Sequence, residues 1–295
     1  MLWSGGRLYR HVVVTPLRNE VEFIPKLIDS ITTQTMVPLE WIIVDDFSTD
    51  GSLELIEEAR SRFEWIKLVR VEEESDWGRG GKIARLVNIG LKSSKIDWIF
   101  FSKIDADILL PEDYFEEIFK EFEDEKLGIG SGNCFMRKSG KMKTEKVEKW
   151  HTRGALKTYR RSCFSDIGGI GEMDGWDGID NLTARFKGWG TRNFPHVLAE
   201  HRRPTGSNEV GFSEFINSGK KSYIMCYSWP YLIAKSVDVM FRRPFFIGGL
   251  CVFFGFIKSG INGTKRLDDK DLINFIRIEQ RKKLLQKIGF GRRSQ

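Results

Sequence analysis

Between His11 and Gly130, short apolar runs alternate with stretches of helical periodicity, and this constrains the fold more than any other feature of the 295 residues. His11-Val-Val-Val-Thr15, Glu40-Trp-Ile-Ile-Val44, Ile66 to Val71 and Trp98-Ile-Phe-Phe101 are short, continuous and rich in β-branched or aromatic residues. They read as strands buried on both faces. Between them, Ile24, Leu27, Ile28 and Ile31 fall on one face of a helix, and Ile83, Leu86, Val87 and Leu91 follow a similar rhythm. Ile56, Ala59 and Phe63 mark another helix, Phe115, Ile118, Phe119 and Phe122 one more, and Leu127 opens a further strand. Strands separated by helices predict an α/β fold with a doubly wound, mostly parallel sheet. The chain shows no repeat of solenoid length.

Acidic residues stand where such a sheet binds ligands, at the carboxyl ends of its strands. Asp45-Asp46 ends the second strand and Asp105-Ala106-Asp107 the fourth, with Pro111 expected to open the next helix. Hard divalent cations take oxygen ligands, and Mg²⁺ commonly combines one or two carboxylates with substrate phosphates. The alternative for each pair is a solvated turn built on Asp side chains. A net charge of +6 favours anionic partners: nucleotide diphosphates, nucleic acid or an acidic membrane surface. Cys134, Cys163, Cys226 and Cys251 are too dispersed for a zinc motif and too few for a disulfide framework, which fits a reducing, cytosolic setting. The first ten residues lack a signal-peptide apolar region. Gly168 to Gly171 lacks the strand that precedes a dinucleotide-binding turn, and Gly78-Arg-Gly-Gly-Lys82 has neither the spacing nor the Ser/Thr of a Walker A loop.

Five segments occur in one order: Val13-Val-Thr-Pro-x-Arg-Asn-Glu20, Val44-Asp-Asp-x-Ser-Thr-Asp-Gly51, Gly81-Lys-x₅-Asn-x-Gly90, Asp105-x-Asp107 and Trp176-Asp-Gly-Ile-Asp-Asn-x₃-Arg-x-x-Gly-Trp189. Together, over roughly residues 10–205, they resemble the GT-A-fold, family-two glycosyltransferases. The resemblance implies a metal-dependent, inverting hexosyltransferase that takes a sugar from a nucleotide-diphosphate donor, a UDP-sugar being favoured. It assigns nucleotide binding to Thr15, Pro16, Arg18, Glu20, Asp46, Lys82 and Asp105, with Asp46 toward the base. It assigns Mn²⁺ or Mg²⁺ to Asp107, to Asp105 and to His201. Read as bare sequence, Thr15 also serves simply to end a strand, Lys82 to start an exposed helix, and His201 to join a surface cluster with Arg202 and Arg203. The general base falls on Asp177, with Trp176 where the family's usual Glu would stand. Asp180, one turn on, is the alternative base or an acceptor contact, and Asp177 as a mere helix N-cap is the structural alternative.

The resemblance divides the chain into a catalytic domain, residues 1–205, and a helical extension, residues 206–295. Within the first, Arg137 to Arg161 is basic and aperiodic, either a flap over an anionic ligand or an irregular hairpin. In the second, Phe245 to Ile257 is thirteen apolar residues bracketed by Arg242, Arg243 and Lys258. That is too short to span a bilayer but suits an interfacial segment on anionic lipid, a core helix or an oligomer interface. Asp268-Asp269 is placed to cap a helix running to about Ile288. The expected acceptor is a lipid-linked or other glycan, met peripherally at the cytoplasmic face of the membrane, with nucleic acid excluded as a partner. A sugar-nucleotide pyrophosphorylase would carry a Gly-rich loop after its first strand, which Pro16-Leu-Arg-Asn19 is not. A non-catalytic binder of membrane or nucleic acid leaves the three carboxylate clusters unexplained.

Overall fold

The computed structural model describes residues 3–4, 7–72, 79–138, 141–145, 147–203, 211–243 and 245–287. Gly78, the junction at 205/206 and Ile288 therefore lie outside the described residues. The chain divides into two compact units, Met1–Thr205 and Gly206–Gln295.

In the first unit β1 (Trp3–Ser4) and β2 (Arg7–Leu8) pair as a small antiparallel ribbon. The main sheet contains β3 (His11–Leu17), β4 (Glu40–Asp45), β5 (Ile66–Arg70), β6 (Phe100–Ile104), β7 (Ile108–Leu109), β8 (Leu127–Lys138), β9 (Lys141–Thr144), β10 (Leu156–Arg160) and β11 (Gly190–His201). Its order is β5-β4-β3-β6-β10-β8-β11-β7, with β9 hydrogen-bonded to β8. The four strands β5, β4, β3 and β6 are parallel, β10 runs antiparallel between β6 and β8, and β11 returns parallel to β8. The connecting helices are α1 (Ile24–Thr32), α2 (Ser52–Arg62), α3 (Arg79–Ser93), α4 (Tyr114–Glu121), α5 (Arg161–Asp166) and α6 (Trp176–Phe186).

Successive residues of the central strands feed two cores. Val13, Trp41, Ile43, Phe100 and Ile104 join α1, α2 and α4 on one face of the sheet. Val12, Val14, Ile42, Val44 and Phe101 join α3, α5 and α6 on the other. This two-sided burial is why these runs are apolar without alternation. Helix α1 is shorter than the ~12–15 residues an isolated helix needs. It persists because Ile24, Leu27, Ile28 and Ile31 are buried, each contributing roughly 1.5–3 kcal/mol. Gly90 lets α3 press on the sheet: a Cβ there would stand 2.7 Å from both Val14 Cγ1 and Val44 Cγ2.

The structure corrects three local expectations. The basic, aperiodic stretch from Arg137 to Arg161 contains the end of β8, β9 and the central strand β10. Its signal is hidden because β10 carries Lys157 and Thr158 into the core, where each has a polar partner. Strand β6 likewise runs on through Ser102 and Lys103, both buried, rather than stopping with its apolar residues. Pro111 does not open α4; its carbonyl accepts the Tyr114 N–H at 3.1 Å, and the helix begins there.

The second unit contains α7 (Phe212–Ile224), α8 (Trp229–Met240), α9 (Ile247–Ile261) and α10 (Lys270–Lys287). Asp269 caps α10 as expected, its Oδ1 accepting the Asp271 and Leu272 N–H groups at 3.0 Å each. The apolar segment Phe245 to Ile257 is split by the packing of α9. Gly248, Gly249, Val252, Gly255 and Ser259 are buried, the glycines allowing the backbones of α7 and α8 to approach closely. Ile247, Leu250, Phe254 and Ile261 on α9 remain exposed. So do Trp229, Ile233, Val237 and Phe241, every fourth residue along α8. The Trp229 and Phe253 rings, 6.2 Å apart, join the two stripes. No helix among the described residues is long and apolar enough to cross a membrane.

Candidate active site

The loops after β3 and β4 are laced together by the polar residues of the first two motifs. Asn19, at a left-handed φ of 54°, accepts the Thr49 N–H on its Oδ1 at 2.8 Å, while its own N–H donates to Ser48 Oγ. The Glu20 N–H donates to Ser52 Oγ, and the Val21 N–H to Asp50 Oδ2. The adjacent carboxylates divide the work. Asp45 accepts the Ser48 N–H and builds the turn. Asp46, also buried, accepts Lys82 Nζ at 2.7 Å and Arg18 Nη1 at 3.3 Å. Lys82 thus reaches the strand ends from the first turn of α3, beside Asp46. Asn88 and Asp174 fasten α3 to the glycine-rich loop before α6: Asn88 Nδ2 donates to the Ile170 carbonyl and to Glu172 Oε1, and the Gly80 N–H donates to Asp174 Oδ1. Thr15 departs from its expected place. Its side chain is fully buried and its hydroxyl accepts the Trp41 indole N–H, so it faces the core, while neighbouring Pro16 is only half-buried.

The residues after β6 lie in an alternating chain of charge. Glu20 pairs with Arg203, Arg203 Nε lies 3.7 Å from Asp107 Oδ2, and His201 Nε2 lies 3.4 Å from the same oxygen. On its other side His201 Nδ1 stands 3.9 Å from Glu145, which pairs with Arg153. Burial disfavours charge on Asp107, yet His201 and Arg203 outweigh it and hold the carboxyl below its ordinary range. Burial opposes the His201 charge too, but Asp107 and Glu145 push its pKa up to about 9. Glu20 moves the other way: burial, reinforced by Asp107 and Asp105, outweighs Arg203 and raises it. Asp105 pairs with Lys103, a buried lysine from β6. Asp107 Oδ2 and His201 Nε2 are spaced for two ligands of one divalent ion, since two ligands at right angles, each about 2.1 Å from an ion, stand about 3 Å apart. The ion would have to displace the proton that His201 shares with Asp107. Among the described residues no three His, Cys, Asp or Glu side chains form a closed metal cage. Diphosphate oxygens would supply the remaining ligands, as is usual for Mg²⁺.

The third carboxylate cluster reaches the same place through residues 151–155. The Asp105 N–H donates to the Ala155 carbonyl at 3.0 Å. One residue earlier, Gly154 lies so close to Asp177 that a Cβ there would stand 3.2 Å from Asp177 Cβ and 3.4 Å from its Oδ2. Asp177 is not the N-cap of α6. That position belongs to Gly175, at φ 83°, and Asp177 lies within the first turn, half-buried. Asp180 is buried in a different role: it accepts Lys157 Nζ at 2.7 and 2.9 Å, the Tyr159 hydroxyl and the Asn181 N–H. Sequence reasoning overlooked Lys103, Lys157, Glu145, Arg153 and His151. Burial and Lys157 lower the His151 pKa to about 4, against the pull of Asp177. Lys157 is hidden because β10 carries no strand signal, Lys103 because it lies in β6 beyond that strand's apolar run, and no motif marks Glu145, His151 or Arg153.

Acidic groups gathered at the carboxyl ends of the strands stand where open α/β sheets bind ligands. Residues 12–173 match the family model of glycosyl transferase family 2, and the chain belongs to that family. Its fold is the GT-A fold. Among curated relatives, glycosyltransferase GlyA of Streptococcus pneumoniae is 30% identical over 123 residues, covering 42% of this chain and 16% of that protein's length. Among solved structures, the mannosyltransferase PcManGT of Pyrobaculum calidifontis, in complex with GDP-Man and Mn²⁺, superposes with a TM-score of 0.57 at 16% identity, over 95% of this chain and 80% of that one. S. aureus TarS 1-349 in complex with UDP gives 0.54 at 14% identity, over 86% and 72%. These two likenesses establish the fold.

Proposed function

We propose that the chain moves a sugar from a nucleotide-diphosphate donor, with a UDP-sugar favoured, to a hydroxyl of a lipid-linked or other glycan acceptor by a single inverting displacement. The observation that carries this reading is the 154–155 segment, which touches Asp105 on one side and Asp177 on the other. In this reading the segment joins the backbone of the nucleotide-side Asp105 to the side chain of Asp177, the proposed base. Asp46, Lys82 and Arg18 receive the nucleoside and its phosphates, the cations trading Asp46 for phosphate. Asp107 and His201 would hold Mn²⁺ or Mg²⁺, with Asp105 toward the ribose. A bound divalent ion supplies Lewis-acid stabilisation of the charge on the leaving diphosphate. Asp177 takes the acceptor's proton while the acceptor oxygen bonds to the anomeric carbon. The bond from that carbon to the phosphate oxygen breaks on the opposite face, and a nucleoside diphosphate leaves. The relatives' complexes with UDP and with GDP-Man and Mn²⁺ support this donor class. Identifying the products formed from a nucleotide sugar is the test.

The same reading puts the enzyme peripherally on an anionic membrane surface at the cytoplasmic face. Its support is the exposed stripe of α8 and α9, including Phe241 at 73% and Leu250 at 58% exposure, flanked by exposed Arg242, Arg243 and Lys258. Apolar area and basic charge together are what interfacial helices use. The protein is expected to float with anionic liposomes, less so in high salt, and to stop when Phe241, Leu250 and Phe254 are replaced by Ser. Failure to float, together with self-association lost in that variant, would make the stripe an oligomer interface instead.

A further inference from the structure

We propose that Lys157 is a positioning residue that fixes where Asp177 stands, and that Asp180 is its anchor rather than a second base. The proposal rests on Asp177 being the base. Lys157 is fully buried, and its ammonium makes three contacts: the Asp177 carbonyl at 2.6 Å and the two Asp180 oxygens at 2.7 and 2.9 Å. An ammonium has three protons, so these contacts use its whole donor capacity and leave it one orientation. Asn181 adds a second bond to the Asp177 carbonyl, Nδ2 to O at 2.8 Å, and its Oδ1 accepts the Thr152 hydroxyl at 2.8 Å. The start of α6 needs such fixing. Gly175 offers no side chain to cap its first turn, and none of its N–H groups is held by an N-cap side chain.

The arrangement makes poor sense as a stability device. Lys157 stands directly opposite Lys103 across the β10–β6 pairing, and both ammoniums lie beside the Trp176 ring, at 5.2 and 5.7 Å. Like charges paired across strands are unfavourable, and apolar residues of similar volume commonly match or exceed a buried ion pair. What the two lysines achieve is geometric. Lys103 holds Asp105 on the nucleotide side, Lys157 holds the Asp177 turn on the acceptor side, and one strand pairing sets them in register.

Lys157→Met alone strands the Asp180 charge and is expected to lower the melting temperature. The double variant Lys157→Met/Asp180→Leu removes both charges and should recover part of that loss, the buried Tyr159 hydroxyl being left without its acceptor. In the double variant the donor KM and the Mn²⁺-dependent UDP affinity should stay within about twofold of wild type, while kcat falls about 10²-fold, the scale of a 1 Å misplacement. A double variant with wild-type kcat, or one that loses KM and kcat together, would overturn the proposal. Asp177→Asn assayed alongside separates the two ideas: a near wild-type rate there would overturn the base assignment and with it the target of the positioning.

Discussion

Asp177→Asn should bind metal and nucleotide sugar almost as wild type does, yet transfer about 10²–10⁴ times more slowly, the usual worth of a positioned general base. Asn has the same shape, and the Asp177 contacts to Lys157 and Asn181 are made through its backbone carbonyl, which the substitution keeps. What the substitution removes is the carboxylate as proton acceptor. Because Gly175 rather than Asp177 occupies the N-cap, no cap is lost, and the melting temperature should fall by no more than a first-turn charge contributes, about 0.3–1 kcal/mol. Asp180→Asn should behave differently. Removing one partner of a buried ion pair typically costs about 3–5 kcal/mol, so its first symptom should be a lower melting temperature. Transfer rate, donor affinity and melting temperature measured for both variants decide the matter. A larger rate loss in Asp180→Asn at unchanged stability would hand Asp180 the base role.

Asp107→Ala should abolish the dependence of nucleotide-diphosphate binding on Mn²⁺ or Mg²⁺. Asp107 is a carboxylate held ionised by His201 and Arg203, and a hard cation needs such an oxygen beside the phosphates. Its removal takes one negative charge from beside His201 and Arg203, which keep Glu145 and Glu20 as neighbours, so weak, metal-independent binding of UDP should survive and be screened by salt. Calorimetric titration of UDP with Mn²⁺ and with chelator separates these components. The curves should differ strongly for wild type and coincide for the variant; a variant with wild-type metal dependence would remove Asp107 as a ligand.

What the sequence revealed depended on whether a residue's chemistry was expressed in local pattern. The parallel half of the sheet was readable because Val12 to Val14 and Trp41 to Val44 are buried on both faces and flanked by amphipathic helices. Asp46, Lys82, Asp107 and His201 stood out as candidates because they punctuate those strands or follow family motifs, and the structure pairs Asp46 with Lys82 and Asp107 with His201. The antiparallel half was opaque. Strand β10 hides behind Lys157 and Thr158, whose burial makes sense only once Asp180 and Ser102 are seen opposite them. Thr15 shows the converse: its place in a motif suggested a ligand contact, whereas its hydroxyl serves Trp41 in the core. Phe245 to Ile257 read as one apolar block because sequence cannot tell the glycine-lined face that α7 and α8 cover from the phenylalanines left outside.

The most direct test of the whole account is the fate of the donor. Wild-type protein incubated with a UDP-sugar, Mn²⁺ and a membrane extract as acceptor source should release UDP and leave the sugar on an acceptor glycan with inverted anomeric configuration, and chelator should stop both. Sugar 1-phosphate as product would mark cleavage within the diphosphate, as in a pyrophosphorylase. That result, or transfer undiminished by chelator, would contradict the account.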